Sequence, residues 1–227
     1  MGDEIDKILE NEVAEIIDSR LSFVYNIYTK IRFRLYNTYQ WPELDPVRNE
    51  ICLCLMFGFS QAAITLTNHL MESVLKYSLI EKHSKDDTPP RKGKAITDFV
   101  GKFADALGIY DNSDLSKNIN KACSLGLITK EQKKLLHKFR IDYRNAYSHS
   151  EKEKTFGNRT IPMQALKIED GKIVMDEQSQ PEIARMLVGQ GLIQAKIAEN
   201  EAPDYFIEVD NVVRYIRDKL YNYEYMF

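Results

Sequence analysis

The chain has 227 residues, of which 44% are hydrophobic and 29% charged, a composition typical of a globular protein and not of a disordered one. A formal net charge of -3 gives no global sign of a nucleic-acid-binding protein, so any such function must depend on a local basic patch. No apolar run approaches the roughly 20 residues of a membrane span, and the acidic start at Asp3 and Glu4 is unlike a signal peptide. We therefore expect a cytoplasmic protein that does not interact with membranes.

The first two helices are predicted from apolar residues that recur at steps of three and four. Residues 3–39 form one long helix or two, which end before Pro42 and Pro46 because proline cannot continue a helix. A second helix is predicted over about residues 47–82 and contains Gly58, which permits a close contact or a bend. Its first half is apolar on most sides, so it is expected to be the central and most buried helix.

Shorter elements follow a polar loop over residues 83–94, which contains two consecutive prolines. Short helices are predicted over residues 95–107 and 113–125, and each is expected to end near a glycine, Gly108 or Gly126. The next helix carries the motif described below.

After residue 150 the pattern alternates, which is typical of strands. Residues 163–176 read as a small β-hairpin around an Asp-Gly turn. Pro181 is expected to open a helix that ends near Glu199, and residues 208–221 form the last one. The sequence therefore predicts an all-α bundle over residues 1–227 as a single domain, with a β-hairpin insertion at about 163–176.

Cysteine and histidine spacing argues against a metal site. The chain has three cysteines, an odd number without the spacing of zinc ligands. None of the four histidines pairs with another at metal-ligand spacing beside carboxylates or thiolates. We expect reduced thiols, no metal and no cofactor.

The motif helix begins with the capping box Thr129-Lys130-Glu131-Gln132 and carries a basic stripe. Lys133, His137, Arg140 and Arg144 are separated by steps of four, three and four residues, so they share one face of a helix. Lys133, His137 and Arg140 are candidates to hold an RNA phosphate backbone. The more common interpretation of such a stripe alone is a solvated face without a ligand.

The end of this helix combines an arginine, an amide and a histidine. Asn145 and His149 are four residues apart, so the amide can hydrogen-bond the imidazole and determine which ring nitrogen is free. Arg144 and His149 are five apart, roughly 140 degrees around an ideal helix. They converge if the helix distorts near Ser148, or if two copies of the segment face each other across a dimer. In the other interpretation both cations only stabilise the helix end.

Arg144-Asn145-Ala146-Tyr147-Ser148-His149 resembles the signature of the HEPN family, an arginine followed by a polar residue and, four to six residues on, a histidine. The approach to the motif is similar too, with a buried helix over residues 66–76 and Leu125-Gly126-Leu127-Ile128 before the motif helix. The resemblance covers about residues 47–150. It implies a compact HEPN-like helical bundle that dimerises with its motifs in a shared cleft.

Many HEPN proteins are metal-independent ribonucleases of host defence, toxin–antitoxin and RNA-processing systems. The resemblance therefore implies a homodimeric endoribonuclease in which His149 is the general acid/base, Arg144 stabilises phosphate charge and Asn145 orients the site. Ser148 is assigned a supporting role. Glu72, on the predicted central helix, can reach the motif and orient a basic residue.

The resemblance also implies RNA as substrate and a neutralising or regulatory protein as partner. In one subset of the family a tyrosine two residues after the histidine is modified to silence the toxin. Glu151 stands at that position here, so this route of control is not expected. The alternative function is a non-catalytic helical module that binds RNA or a protein and dimerises through the same surface.

Overall fold

The computed structural model describes residues 2–84, 95–145, 147, 156, 158–160, 163–169, 172–179, 182–183 and 189–221. The described chain is mostly helical, as predicted. Its elements in chain order are α1 (Gly2–Tyr36), α2 (Asp45–Met56), α3 (Ser60–Ser84), α4 (Ala95–Tyr110), α5 (Leu115–Ser124), α6 (Lys130–Phe139), a π-helix (Arg140–Asn145), β1 (Met163–Glu169), β2 (Lys172–Ser179) and α7 (Gln190–Tyr221).

The first helix is continuous, so the N-terminal pattern forms one helix and not two. The turn that follows is held by Asp45, whose carboxylate accepts the backbone N–H groups of Tyr39 at 2.7 Å and Trp41 at 3.0 Å. Pro46 lies in the first turn of α2, where its missing N–H would have no helical partner in any case. The proline-containing stretch therefore both ends α1 and starts α2.

The prediction of one helix over residues 47–82 is wrong, because the chain breaks between α2 and α3 at Gly58. Gly58 has a φ of 77°, in the left-handed region that glycine adopts without a Cβ penalty. The N–H groups of Gly58 and Phe59 donate to the carbonyls of Leu55 and Cys54, the paired bonds of a Schellman helix end. These bonds satisfy the last carbonyls of α2.

The most buried helix is α3, not the apolar segment before it. Leu53, Phe57 and Phe59 are 42%, 59% and 63% exposed. In contrast, α3 packs against α2, α4, α5 and, most extensively, α7. It buries a continuous apolar stripe that consists of Leu70, Met71, Val74, Leu75 and Leu79. Burial of one such side chain contributes roughly 1.5–3 kcal/mol to the stability of the fold.

Helix ends were predicted at Gly108 and Gly126, and only the one at Gly126 is found. α4 runs through Gly108 to Tyr110, since a glycine inside a helix costs only about 1 kcal/mol relative to alanine. Gly126 has a φ of 71° and does end α5, with its N–H donated to the carbonyl of Cys123. The start of α5 is capped by Asp114, which accepts the N–H of Lys117 at 2.9 Å.

Two antiparallel strands lie where the sequence indicates a hairpin. Glu169 pairs with Lys172 around the Asp-Gly dipeptide at 170–171, which lies outside the described residues. The pairing reaches Ser179, beyond the predicted limit at residue 176, with an irregular register near Met163.

The prediction of two separate C-terminal helices is also wrong, because α7 is continuous and contains Pro203. A proline inside a helix removes one hydrogen bond and crowds the preceding turn. Here Ala202, Pro203 and Phe206 are buried, and α7 packs along α3. Tertiary packing therefore outweighs the local preference. The predicted start at Pro181 lies outside the described residues, and α7 begins at Gln190.

Within the described ranges, no His, Cys, Asp and Glu side chains form a group of three or more that could hold a metal ion. The three cysteines are free thiols. Burial raises the pKa of Cys52 to about 11, so this thiol stays protonated at neutral pH. Of the helices in the described part of the chain, none is long and apolar enough to cross a membrane.

Candidate active site

The predicted capping box is present at the start of α6. The Thr129 hydroxyl accepts the N–H of Gln132 at 3.1 Å, and the Gln132 side chain accepts the N–H of Thr129 at 2.9 Å. α6 then continues without interruption into the π-helix, Arg140–Asn145. The wider helix therefore begins inside the basic stripe and includes the first two residues of the motif.

The π-helix changes which side chains share a face. Its hydrogen bonds join residues five apart instead of four, so Arg140 and Asn145 lie above one another with Arg144 beside them. The motif helix is therefore distorted in its described part, at residues 140–145, while the predicted place of distortion at Ser148 is not described. Ser148 and His149 themselves lie outside the described residues. Such wide turns inside α-helices are frequent at functional sites.

A cavity of about 330 Å³ opens beside this segment, and we call it the π-helix cavity. α3 forms one wall, the loop before α5 and the first turns of α5 form the second, and the π-helix forms the third. Its lining is almost entirely polar: Glu72, Lys76, Asp111, Asn112, Ser113, Asp114, Leu115, Ser116, Asn118, Arg140, Arg144 and Asn145.

Glu72 holds Arg144 at this cavity. The Arg144 Nε donates to Glu72 Oε1 at 2.9 Å, and the two side chains are 35% and 31% exposed. Glu72 was predicted to orient a basic residue, and in the structure its carboxylate contacts Arg144. Because the bond uses Nε, it fixes the plane of the guanidinium while both groups stay accessible to solvent.

The basic stripe divides into two parts. Arg140 and Arg144 line the π-helix cavity, whereas Lys133 and His137 lie earlier on α6 and do not. Lys133, His137 and Arg140 are all half-buried. The His137 Nε2 lies 3.3 Å from the Asn120 Oδ1 on α5, which orients the ring.

We expect His137 to make the stability of the protein depend on pH. Burial, Arg140 and Lys133 all lower the pKa of His137. The unfolded chain therefore binds this proton more readily, so the free energy of unfolding should fall as pH drops below roughly 6.5. In His137→Gln, which can still contact Asn120, urea unfolding between pH 7 and pH 5.5 should show a smaller loss. An identical loss in both proteins would contradict this assignment.

Aromatic rings anchor the π-helix to α7. The Tyr143 and Tyr205 rings stack with centroids 4.1 Å apart, and Phe139 meets Tyr205 edge-on at 4.9 Å. The Tyr205 hydroxyl donates to Asn68 Oδ1 on α3 at 2.7 Å. Tyr147 extends the stack, and burial raises its pKa to about 12. The motif segment is therefore packed on two helices and does not depend on its own turns for its position.

Eight residues that line the cavity were not predicted from the sequence, and Lys76 and Asn118 are two of them. Lys76 lies four residues after Glu72 on α3, so the helical period could have placed it on the same face. Asn118 lies on a different helix, and no local signal connects it to Arg140. Only the packing of α5 beside the π-helix brings these residues to one cavity.

Compared with protein-family models, with curated proteins and with solved structures, the chain has no significant match. The geometry of the π-helix cavity and the residues of the motif are therefore the grounds for assigning a function.

Proposed function

We propose that this protein is a HEPN-type, metal-independent endoribonuclease that acts as a homodimer and cleaves RNA by 2′-OH transesterification. The observation that carries the proposal is the ion pair of Arg144 with Glu72 at the edge of an open polar cavity. Asn145 lines the same cavity, and His149 follows four residues later in the chain. A cation suited to bind phosphate and a histidine suited to act as a base therefore lie five residues apart in the chain.

The proposed reaction needs one base, one acid and one group that stabilises anionic charge. His149 takes the proton of a ribose 2′-OH as its oxygen attacks the adjacent phosphorus. The bond from phosphorus to the 5′-oxygen breaks, and the His149 of a second copy of the chain protonates that oxygen. Arg144 donates to the phosphorane oxygens, whose charge grows in the transition state. The products are a 2′,3′-cyclic phosphate and a 5′-hydroxyl.

The remaining predicted residues have supporting roles in this proposal. Lys133, His137 and Arg140 extend the positive surface along the helix before the motif and would hold the RNA backbone. Ser148 directly precedes His149 in the chain and is assigned support of its position. The activity would serve defence or toxin-type RNA degradation in the cytoplasm, with a neutralising or regulatory protein as partner.

The test is cleavage of a labelled total-RNA pool by the purified protein in EDTA. The expected products end in 2′,3′-cyclic phosphates, while DNA and 2′-O-methyl RNA of the same sequence stay intact because they lack the nucleophile. A folded dimer that binds RNA without cleaving it would contradict the proposal. That outcome would favour the alternative, a non-catalytic RNA- or protein-binding dimerisation module.

A further inference from the structure

We infer that the π-helix cavity is a phosphate-binding subsite, which holds a backbone phosphate of the RNA next to the phosphate that is cleaved. Arg140 and Asn118 are its donors. This inference rests on the proposed function for the identity of the ligand. It adds a second contact point with RNA, on the wall of the cavity formed by α5.

The carboxylates of the cavity are already paired with their own cations. Glu72 pairs with Arg144 at 2.9 Å, and the Lys76 Nζ lies 3.7 Å from Asp111 Oδ1 and donates to the Asp111 carbonyl at 2.6 Å. Asp114 caps α5 and also lies 3.4 Å from the Lys117 Nζ. In each of these pairs the positive charge neutralises the carboxylate.

The cation that remains is Arg140. Its guanidinium forms no hydrogen bond or ion pair with any residue that the structure describes, and its Nε is in addition shielded from solvent. A buried donor without an acceptor costs roughly 1–3 kcal/mol, and more when it is charged. The two Nη groups of Arg140 are not shielded in this way, so they are the donors open to a phosphate, and a guanidinium can donate to two phosphate oxygens at once.

Asn118 provides a second donor without a partner. Its side chain is only 2% exposed, and within the described part of the chain it has no hydrogen-bond partner. Asn118 nevertheless lines the cavity. The Asn118 amide is not among the polar atoms that are both shielded from solvent and without a partner, so it is open to the cavity and can donate to a ligand there that accepts hydrogen bonds.

The size of the cavity and its one unpaired cation, Arg140, favour a phosphodiester. Its volume of about 330 Å³ is at the lower end of the range for small-molecule sites, roughly 300–1,000 Å³. Such a space accommodates a phosphate and its ribose but not a stacked oligonucleotide. Arg144 lines the same cavity, so a phosphate bound by Arg140 would lie along the strand from the one that Arg144 contacts.

The test measures binding of a short fluorescent 2′-O-methyl RNA, which cannot be cleaved, to the full-length protein by anisotropy over a range of salt concentrations. Arg140→Gln is expected to weaken binding about tenfold. It should also reduce the slope of log K against log salt by about 0.7, the value for one phosphate contact on a single strand. Asn118→Asp, which keeps the shape and adds a negative charge, should weaken binding at least as much.

Lys138→Gln is the matched control, because this substitution also removes one positive charge. Lys138 is exposed on the helix that leads into the π-helix, and it does not line the cavity. It should leave the affinity within about twofold of the wild type. The inference is overturned if Arg140→Gln weakens binding no more than Lys138→Gln, or if the wild type does not bind the RNA. The proposed function is tested separately. If the wild type binds this RNA through Arg140 but cleaves no natural RNA, the subsite is supported and the ribonuclease proposal is wrong.

Discussion

Replacing His149 with alanine is expected to lower the rate of RNA cleavage roughly 10²- to 10⁴-fold, because the attacking 2′-OH loses its base. Replacing Arg144 with alanine should lower it roughly 10²- to 10³-fold, since the anionic transition state loses a charged donor. Both rates should be measured in single turnover with saturating enzyme, so that the chemical step is observed and not binding.

Two further variants sharpen this experiment. Lys138→Gln removes a cation from the same helix and should cleave RNA at nearly the wild-type rate. Glu72→Gln keeps Arg144 but weakens a half-exposed ion pair worth roughly 0.2–1 kcal/mol, so cleavage should fall only about two- to fivefold. Wild-type rates in both His149→Ala and Arg144→Ala would refute the proposed ribonuclease mechanism.

Replacing Asp210 with alanine is expected to lower the free energy of unfolding by roughly 3–5 kcal/mol. Asp210 is fully buried on α7 and accepts hydrogen bonds from the Tyr39 hydroxyl at 2.7 Å and the Arg214 Nε at 2.9 Å. The Arg34 Nε on α1 lies 3.2 Å from the same carboxylate. The substitution leaves the Tyr39 hydroxyl and the Arg214 Nε without their acceptor and removes the negative charge beside two partly buried guanidinium groups, which keep, among the described residues, only their hydrogen bonds to Asn211 Oδ1 and the Asn37 carbonyl.

The measurement is urea unfolding at one fixed protein concentration, because the proposed homodimer would gain stability with concentration. Asp218→Ala is the matched control on the same helix, since Asp218 is 59% exposed and pairs only with its neighbour Arg217 among the described residues. Its stability should stay within about 0.5 kcal/mol of the wild type. If Asp210→Ala changes stability as little as Asp218→Ala, the buried cluster does not hold α1 on α7.

Two helix boundaries were predicted correctly from local signals. The capping box at Thr129 starts α6, and Gly126 ends α5, because each acts through hydrogen bonds within one turn. Two other boundaries were predicted wrongly. Gly58 was expected to lie within one helix but ends α2, through its left-handed backbone and hydrogen bonds within one turn. Residues 200–207 were expected between two helices but lie inside α7, which packs along α3 and stays continuous across Pro203.

The sequence by itself determined that this protein is mostly helical, and it placed Arg144, Asn145 and the basic stripe on one helix before His149. These features follow from periodicity and spacing along a single element. Only the tertiary structure decided that α3, and not the apolar segment before it, is the central helix, that the motif helix widens at Arg140, and that Asn118 lies at the same cavity as Glu72 and Arg144. The walls of this cavity come from residues that are up to 73 positions apart in the chain, from Glu72 to Asn145. Local sequence signals act within about one helical turn, so they cannot predict which of these residues meet.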